Sequence, residues 1–374
     1  MTGISYFRPT QARIDLDAIR KNIAKLRQHL HTNVDIIAVV KANAYGHGDV
    51  EVSKAALQAG ATTLAVATPE EALHIREAIQ DVPILILGAV PVGFVPYAAK
   101  YHITLTVFSA EWIEEAQRSY EELTERVLVH LKVDSGMGRI GVRTELELQK
   151  LASIVEQSTL FDIDGIFTHF ATADDEDTAY YIQQKEIFMQ LVASLPTKPR
   201  IVHAANTAAS LVKENVQFDA VRFGISMYGL APSPYVEQHL PFALTPAMTL
   251  ATQLVHVKRI KRGESVGYGA AYHAVEEEEW IGTLPIGYAD GLRRALSGQD
   301  VLIGGQRVKI IGKVCMDQTM IKLPKKMTVG EEVILIGKQQ NDEILMQEWA
   351  DKLQTIVYEI PCMLTARIAR VYRP

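Results

Sequence analysis

The chain has 374 residues, which at roughly 100–200 residues per domain predicts two domains, or one large barrel with an appendage. With 48% hydrophobic and 22% charged residues it has enough apolar material for a sizeable core, which argues against disorder. The net charge of −6, from 38 basic against 44 acidic residues, disfavours a nucleic-acid partner. The two cysteines, Cys315 and Cys362, are too few for a disulfide scaffold or a cysteine-rich metal site, and they fit a reducing compartment.

The first ten residues lack the basic start and apolar stretch of a secretory signal. Residues 16–30 predict a helix, with Leu16, Ile19, Ile23, Leu26 and Leu30 forming one apolar stripe. Eight short apolar, β-branched runs then alternate with helix-like stretches. They span 34–42, 63–67, 84–87, 103–108, 126–133, 163–168, 201–205 and 220–225. Pro69-Glu70-Glu71 opens one of the intervening helices, with proline in the first turn and acids at the positive end. Residues 82–99 carry no charge, long enough to raise a membrane question. Pro83, Pro91 and Pro96, with Gly88 and Gly93, break the stretch, which reads as a buried strand followed by a loop. Eight strands alternating with helices predict a (β/α)₈ TIM-type barrel, with a doubly wound open sheet as the alternative.

The pattern changes near Pro241 and Pro246, where the helical period fades. Strand-like runs follow at 250–257, 280–286, 308–311, 320–323, 333–336 and 366–372. The expected organisation is an α/β barrel over residues 12–244 and a mostly-β domain over residues 245–374, with residues 1–11 able to pair with the latter. The acidic run 276–279 reads as a solvated turn.

Barrel chemistry gathers at the carboxyl ends of the strands, and five of the eight predicted ends carry functional side chains. Lys41 follows the first apolar run, where partial burial disfavours an ammonium and suits an amine nucleophile. Lys132, Asp134 and Arg139 follow the fifth, His169 the sixth, Asn206 and Thr207 the seventh, and Arg222 and Gly224 the eighth. Thr207 and backbone N–H groups near Gly224 could bind an anion there. Gly136-Met137-Gly138-Arg139-Ile140-Gly141 has dinucleotide-loop spacing, with Asp162 and Asp164 about twenty residues on. Its position after the fifth strand instead of the first weakens that reading, and an NAD-dependent oxidoreductase stays as the motif-only alternative. Tyr268, between Gly267 and Gly269, can present its phenol without backbone crowding. No metal site is expected: Cys315-Met316-Asp317 lacks a second ligand pair.

The run Val39-Val40-Lys41-Ala42-Asn43-Ala44-Tyr45-Gly46-His47-Gly48 resembles the pyridoxal-phosphate (PLP) lysine motif of the alanine racemases. The resemblance continues through Lys132-Val133-Asp134-Ser135-Gly136-Met137-Gly138-Arg139, Thr168-His169-Phe170-Ala171, His203-Ala204-Ala205-Asn206, Arg222-Phe223-Gly224-Ile225, Gly267-Tyr268-Gly269, Cys315-Met316-Asp317 and Tyr358-Glu359-Ile360. It covers essentially the whole chain and implies a PLP-binding barrel followed by a β domain.

Carried over, the resemblance implies that Lys41 holds PLP covalently. Tyr45, Asn206, Thr207, Tyr358 and the backbone of Gly224 and Ile225 would complete the cofactor site, mostly at the phosphate. Thr207 stands where the family usually has serine, which keeps the hydroxyl. Arg222 would face the pyridine nitrogen, supported by His203, with His169 beside the ring. Arg139 and Met316 would contact substrate, and Lys132 would carry the carbamate often found at that position. Lys41 and Tyr268 would be the two acid/base groups. Tyr268, Met316 and Tyr288 would come from the other subunit of a homodimer. The implied role is a cytoplasmic bacterial enzyme supplying D-alanine for the cell wall, with no membrane or nucleic-acid partner. A racemase of another small amino acid such as serine is the nearest alternative. A noncatalytic PLP-binding protein and a barrel-type PLP decarboxylase fit less well.

Overall fold

The computed structural model describes residues 7–374, so part of the expectation for residues 1–11 lies outside the described residues. Contacts divide the chain into two units. Asp17–Ala44 with Asp49–Pro246 forms one, and, among the described residues, 7–16, Tyr45–Gly48 and Ala247–Pro374 form the other.

The first strand, β1 (Gln11–Asp15), belongs to the second unit. Residues 12–16 therefore do not fall with the barrel, where the sequence reading placed them. The next eight strands form the barrel: β2 (Asp35–Val39), β3 (Thr63–Val66), β4 (Ile84–Ile86), β5 (Ile103–Val107), β6 (Val127–Lys132), β7 (Phe161–Phe167), β8 (Ile201–His203) and β9 (Ala220–Phe223). Each pairs in parallel with the next, and β9 pairs back on β2 to close the cylinder. Such strands are covered on both faces, which is why they read as continuous apolar runs without polar alternation. The β6–β7 register runs Val129 to Ile163 and then His130 to Gly165, so Asp164 is a bulged residue.

The expected N-terminal helix is present as Leu16–His29, which buries Ala18, Ile19, Ile23 and Leu26. Pro69–Ala78 begins with a capping box between Thr68 and Glu71. The uncharged stretch 82–99 is the buried strand β4, but its expected loop includes a helical turn and the helix Val95–Lys100. Pro96 sits in that helix's first turn, where its missing N–H costs nothing. Among the described residues, no helix is long and apolar enough to cross a membrane.

The second unit is built on a ten-stranded sheet among the described residues. Its further strands include β10 (Met248–Gln253), β11 (His256–Lys261), β12 (Ser265–Val266), β13 (Tyr272–His273), β14 (Glu278–Leu284), β15 (Asp300–Ile303), β16 (Gln306–Ile311), β17 (Thr319–Leu323), β18 (Glu332–Gln339), β19 (Asp342–Ile344) and β20 (Ala369–Arg373). The order is β11-β14-β17-β16-β15-β18-β10-β1-β20, with β19 on β18 and β12–β13 as a separate hairpin. The expected run 250–257 is two strands. The acidic run 276–279 is not a fully solvated turn, because Glu279 lies in β14 and is 2% exposed. Its carboxylate accepts hydrogen bonds from the Tyr272 hydroxyl and the Val275 and Glu276 N–H groups, and pairs with Lys322.

Candidate active site

Lys41 follows β2 by two residues and is half-buried. Directly after it, Ala42, Asn43, Ala44 and Tyr45 all have φ between 51° and 53°. Four consecutive non-glycine residues in the left-handed region cost about 1–2 kcal/mol each. Strain of this kind persists only where its surroundings impose it, and it clusters at functional sites.

Inside the barrel unit, Arg222 is the hub. It is 3% exposed. Its Nη1 donates to His203 Nδ1 at 2.8 Å and to the His203 carbonyl at 3.3 Å. Its Nη2 donates to the carbonyls of Thr168 and Ala204, each at 2.8 Å, and lies 3.4 Å from His169 Nδ1. Among the described residues only Nε–H lacks a partner. Phe167 forms a shelf: its ring stacks on His203 at 4.7 Å and lies under the guanidinium at 5.3 Å and the Lys132 Nζ at 5.2 Å. Burial, with Arg139 adding repulsion, lowers the Arg222 guanidinium to about 9. Burial and the neighbouring Arg222 lower Lys132 to about 7. Burial and the same cation hold His169 and His203 well below the usual histidine range.

Lys132 donates to the Val133 carbonyl at 2.6 Å. Burial works to raise Asp134, but the N–H groups of Gly138 and Gly136 overcome it and hold the carboxyl low. Arg139 is exposed on the following loop and makes no hydrogen bond or ion pair among the described residues. At the next strand ends, the Gly224 N–H donates to Thr207 Oγ1 at 2.8 Å, so the hydroxyl proton remains to be donated elsewhere. Ile225 is buried at the start of a helical turn. Asn206 caps the helix Thr207–Val212: its side chain accepts from Ala209 N–H and donates to the Phe170 carbonyl.

The remaining predicted site residues lie in the second unit. Tyr45 and Tyr358 approach to 6.2 Å between ring centroids. Burial, with Tyr358 and Cys362 nearby, pushes the Tyr45 phenol up. Tyr288 and Met316 are held on adjoining loops by the hydrogen bonds Tyr288 N–H to Cys315 and Ala289 N–H to Met316. A Cβ at Gly287 would fall 2.3 Å from the Met316 carbonyl oxygen, so glycine permits this crossing. Tyr268 is 70% exposed, and Tyr288 and Met316 are also exposed.

The dinucleotide-like loop is committed otherwise. It folds back so that the Asp134 N–H donates to the Val142 carbonyl and the Val142 N–H donates to the Lys132 carbonyl. The following helix starts only at Glu145, on its own capping box. Asp162 pairs with Arg126, and Asp164 with Arg200 and His130. His130 and Asp164 are the polar residues whose connection to the site the sequence reading missed. Both stand inside strands, away from the ends where function was sought.

The donor set suits an anionic, ring-bearing cofactor. Arg222 keeps an uncommitted Nε–H and Thr207 keeps a hydroxyl proton, and the Arg222 guanidinium brings positive charge to the neighbourhood. Among the described residues no group of three His, Cys, Asp or Glu side chains is placed to hold a metal ion.

Known proteins resemble the chain along nearly its whole length. Residues 14–232 match the family described as alanine racemase, N-terminal domain, and residues 247–372 match alanine racemase, C-terminal domain. Alanine racemase 1 of Bacillus subtilis is 48% identical over 372 residues, covering 100% of this chain and 95% of that protein. The crystal structure of alanine racemase from Bacillus anthracis with bound L-Ala-P is 42% identical, with a TM-score of 0.96 over 99% of this chain and 96% of that one. A histidine racemase from Leuconostoc mesenteroides is 31% identical, with a TM-score of 0.93 over 99% of both chains. By its motifs, its barrel and its full-length relatives, the chain belongs to the alanine racemase family.

Proposed function

We propose that this protein interconverts L- and D-alanine, using PLP and two acid/base groups on opposite faces of the substrate α-carbon. The observation that carries the reading is that the family match spans both units. The lysine-bearing strand end and the β unit with Tyr268 therefore occur together. When bound, PLP delocalises the electrons left at the α-carbon and so makes the α-proton acidic.

Lys41 would hold the cofactor through Nζ, and its amine would move the proton on the D face. Tyr268 of a second copy moves it on the L face. Tyr45, Asn206, Thr207, Tyr358 and the backbone of Gly224 and Ile225 bind the cofactor, chiefly its phosphate. Arg222 would offer its remaining Nε–H to the cofactor's ring nitrogen, and His169 would stand beside the ring. Arg139 and Met316 orient the substrate carboxylate, with Lys132 as an anionic partner for Arg139 if it carries a carbamate. The exposure of Tyr268, Tyr288 and Met316 supports a homodimer, because all three would serve the partner's site. Supply of D-alanine to cell-wall synthesis, in the cytoplasm, is the corresponding role.

The test is proton NMR of the protein with PLP and L-alanine in D₂O, with chiral analysis of the same sample. Loss of the α-proton signal with formation of D-alanine toward equal amounts is the expected result. Exchange with retained configuration would leave only one working face. Serine and histidine run in parallel settle side-chain selectivity, since a histidine racemase shares the fold. Faster turnover of either would overturn the alanine assignment.

A further inference from the structure

We propose that His130 and Asp164 are positioning residues for Arg222. They fix, from the far end of the barrel, the direction in which its guanidinium donates. The inference rests on the reading of Arg222 as the group facing the cofactor ring.

The four groups form one line. Arg222 Nη1 meets His203 Nδ1 at 2.8 Å, His203 Nε2 meets His130 Nδ1 at 2.9 Å, and His130 Nε2 meets Asp164 Oδ2 at 3.4 Å. Arginine has no acceptor, so His203 Nδ1 accepts. In a neutral imidazole the proton then sits on Nε2 and is donated to His130 Nδ1. His130 in turn carries its proton on Nε2 and donates it to Asp164. A carboxylate has no proton to give, so reasoning from that end yields the same direction. The two ends agree, and both imidazoles have one permitted tautomer.

The far end is anchored. Asp164 Oδ1 and Oδ2 take a paired contact from Arg200 Nε and Nη2 at 2.7 and 2.8 Å. Burial works to raise the Asp164 carboxyl, but His130 and Arg200 overcome it and hold it at about 2. Burial also lowers His130, so its neutral form, the form the line requires, prevails. His130 and His203 are 3% and 0% exposed. A small cavity lined by Asp35, Thr63, His130, Asp164 and Arg200 marks where the line reaches the N-terminal ends of the strands.

The backbone is shaped around this line. Asp164 is the bulged residue of β7, and a bulge re-aims a side chain that the regular register would place elsewhere. Gly165 follows it inside the strand, where glycine weakens pairing. A Cβ there would lie 2.6–2.7 Å from three atoms of the His130 ring. Two local departures from good strand sequence thus serve one imidazole. Apolar side chains could fill the same volume without burying charge. What they could not do is hold the His203 acceptor toward Arg222.

The experiment compares Asp164→Asn, His130→Phe and His130→Asn in the full-length, PLP-loaded protein. Asparagine at 130 keeps an acceptor near the Nδ1 position, whereas phenylalanine keeps only the ring. Asp164→Asn and His130→Phe are expected to lower kcat about tenfold or more with KM for alanine changed less than about twofold. They are also expected to raise pyridoxamine formed per racemisation turnover. His130→Asn is expected to recover a large part of the loss seen in His130→Phe. Independently of turnover, ¹⁵N NMR of histidine-labelled protein is expected to show His130 and His203 protonated on Nε2 in the wild type. Wild-type kcat and pyridoxamine partition in the variants would overturn the proposal while leaving the racemase reading intact. So would His130 protonated on Nδ1. A loss of rate that follows thermal stability alone, unrescued by asparagine, would reduce the line to a packing feature and likewise overturn it. Failure of the wild type itself to racemise would instead overturn the underlying reading.

Discussion

The Ala42 N–H donates to Glu71 Oε1 at 2.6 Å, which ties the first left-handed residue after Lys41 to a neighbouring helix. The other carboxylate oxygen accepts the N–H groups of Ala67 and Thr68, at 2.8 and 3.3 Å. One side chain therefore starts the helix Pro69–Ala78 and holds down the strained turn. A hydrogen bond to a charged group contributes about 1.5–3 kcal/mol, a useful part of what the turn costs. Glu71→Ala is expected to destabilise the protein by that order and to lower kcat further than Glu71→Gln does. Thermal melts and racemisation rates on both variants check this. Wild-type kcat in a merely less stable Glu71→Ala would show that the turn holds without its anchor.

Arg222→Glu tests the proposed placement of a cation at the cofactor ring. Two like charges 4 Å apart repel by roughly 4 kcal/mol at an effective dielectric of 20, near three pKa units. A guanidinium beside the bound cofactor would therefore disfavour protonation of its ring nitrogen. Glutamate would favour protonation there. Slower racemisation with more pyridoxamine product is expected, read by chromatography of the cofactor after incubation with alanine. Unchanged pyridoxamine would sink this account.

Glu279 supplies a stability prediction with a defined pH window. Burial works to raise its carboxyl, but Tyr272, the Glu276 and Val275 N–H groups and Lys322 overcome it and hold it at about 2. The side chain is fully enclosed. A depressed carboxyl contributes stability that is complete above its unfolded value and is lost as pH falls through the folded one. Against an unfolded value of about 4.3, the contribution is roughly 3 kcal/mol. Glu279→Gln is expected to lower stability by that order at pH 7. The difference should shrink below about pH 4 and close near pH 2. Denaturant titrations at several pH values measure it, and a pH-independent difference would contradict the assignment.

If Lys41 and Tyr268 act in one site across two copies, two dead variants can repair each other. Lys41→Ala and Tyr268→Ala are each expected to lose nearly all activity. Mixed, dissociated and reassembled, they are expected to recover up to about a quarter of wild-type activity. Random pairing makes half the dimers mixed, each with one intact site. No recovery, in mixtures shown to exchange subunits, would place both residues in the same chain's site.

The barrel was legible because β2 to β9 are covered on both faces, so each reads as an uninterrupted apolar run. Strand ends could then be searched for chemistry, which singled out Lys41, His169, Thr207 and Arg222 as candidates. His130 and Asp164 were seen only as a strand residue and as part of a dinucleotide pattern. Their meeting depends on a one-residue slip between β6 and β7, which a period count does not register. Glu279 was hidden by its acidic neighbours: alternation in β14 turns it inward while Glu278 faces out. In the β unit, β15 was missed because its apolar run, Val301-Leu302-Ile303, is only three residues long. The left-handed turn after Lys41 was invisible because alanine and tyrosine do not announce positive φ, and the lone Asn43 between them suits one such position, not four.

The place of β1 in its sheet has a consequence for biosynthesis. β1 runs between β10 and β20, antiparallel to one and parallel to the other. It leaves the ribosome before any barrel strand, and its partners follow only after the whole barrel has been made. The oldest strand must therefore wait unpaired for the youngest, while the barrel has all its own strands and can close first. A fragment beginning at Ala247 would lack that middle strand and bare the facing edges of β10 and β20. Open edges of this kind recruit strands from other chains, so such a fragment should aggregate instead of folding as a domain.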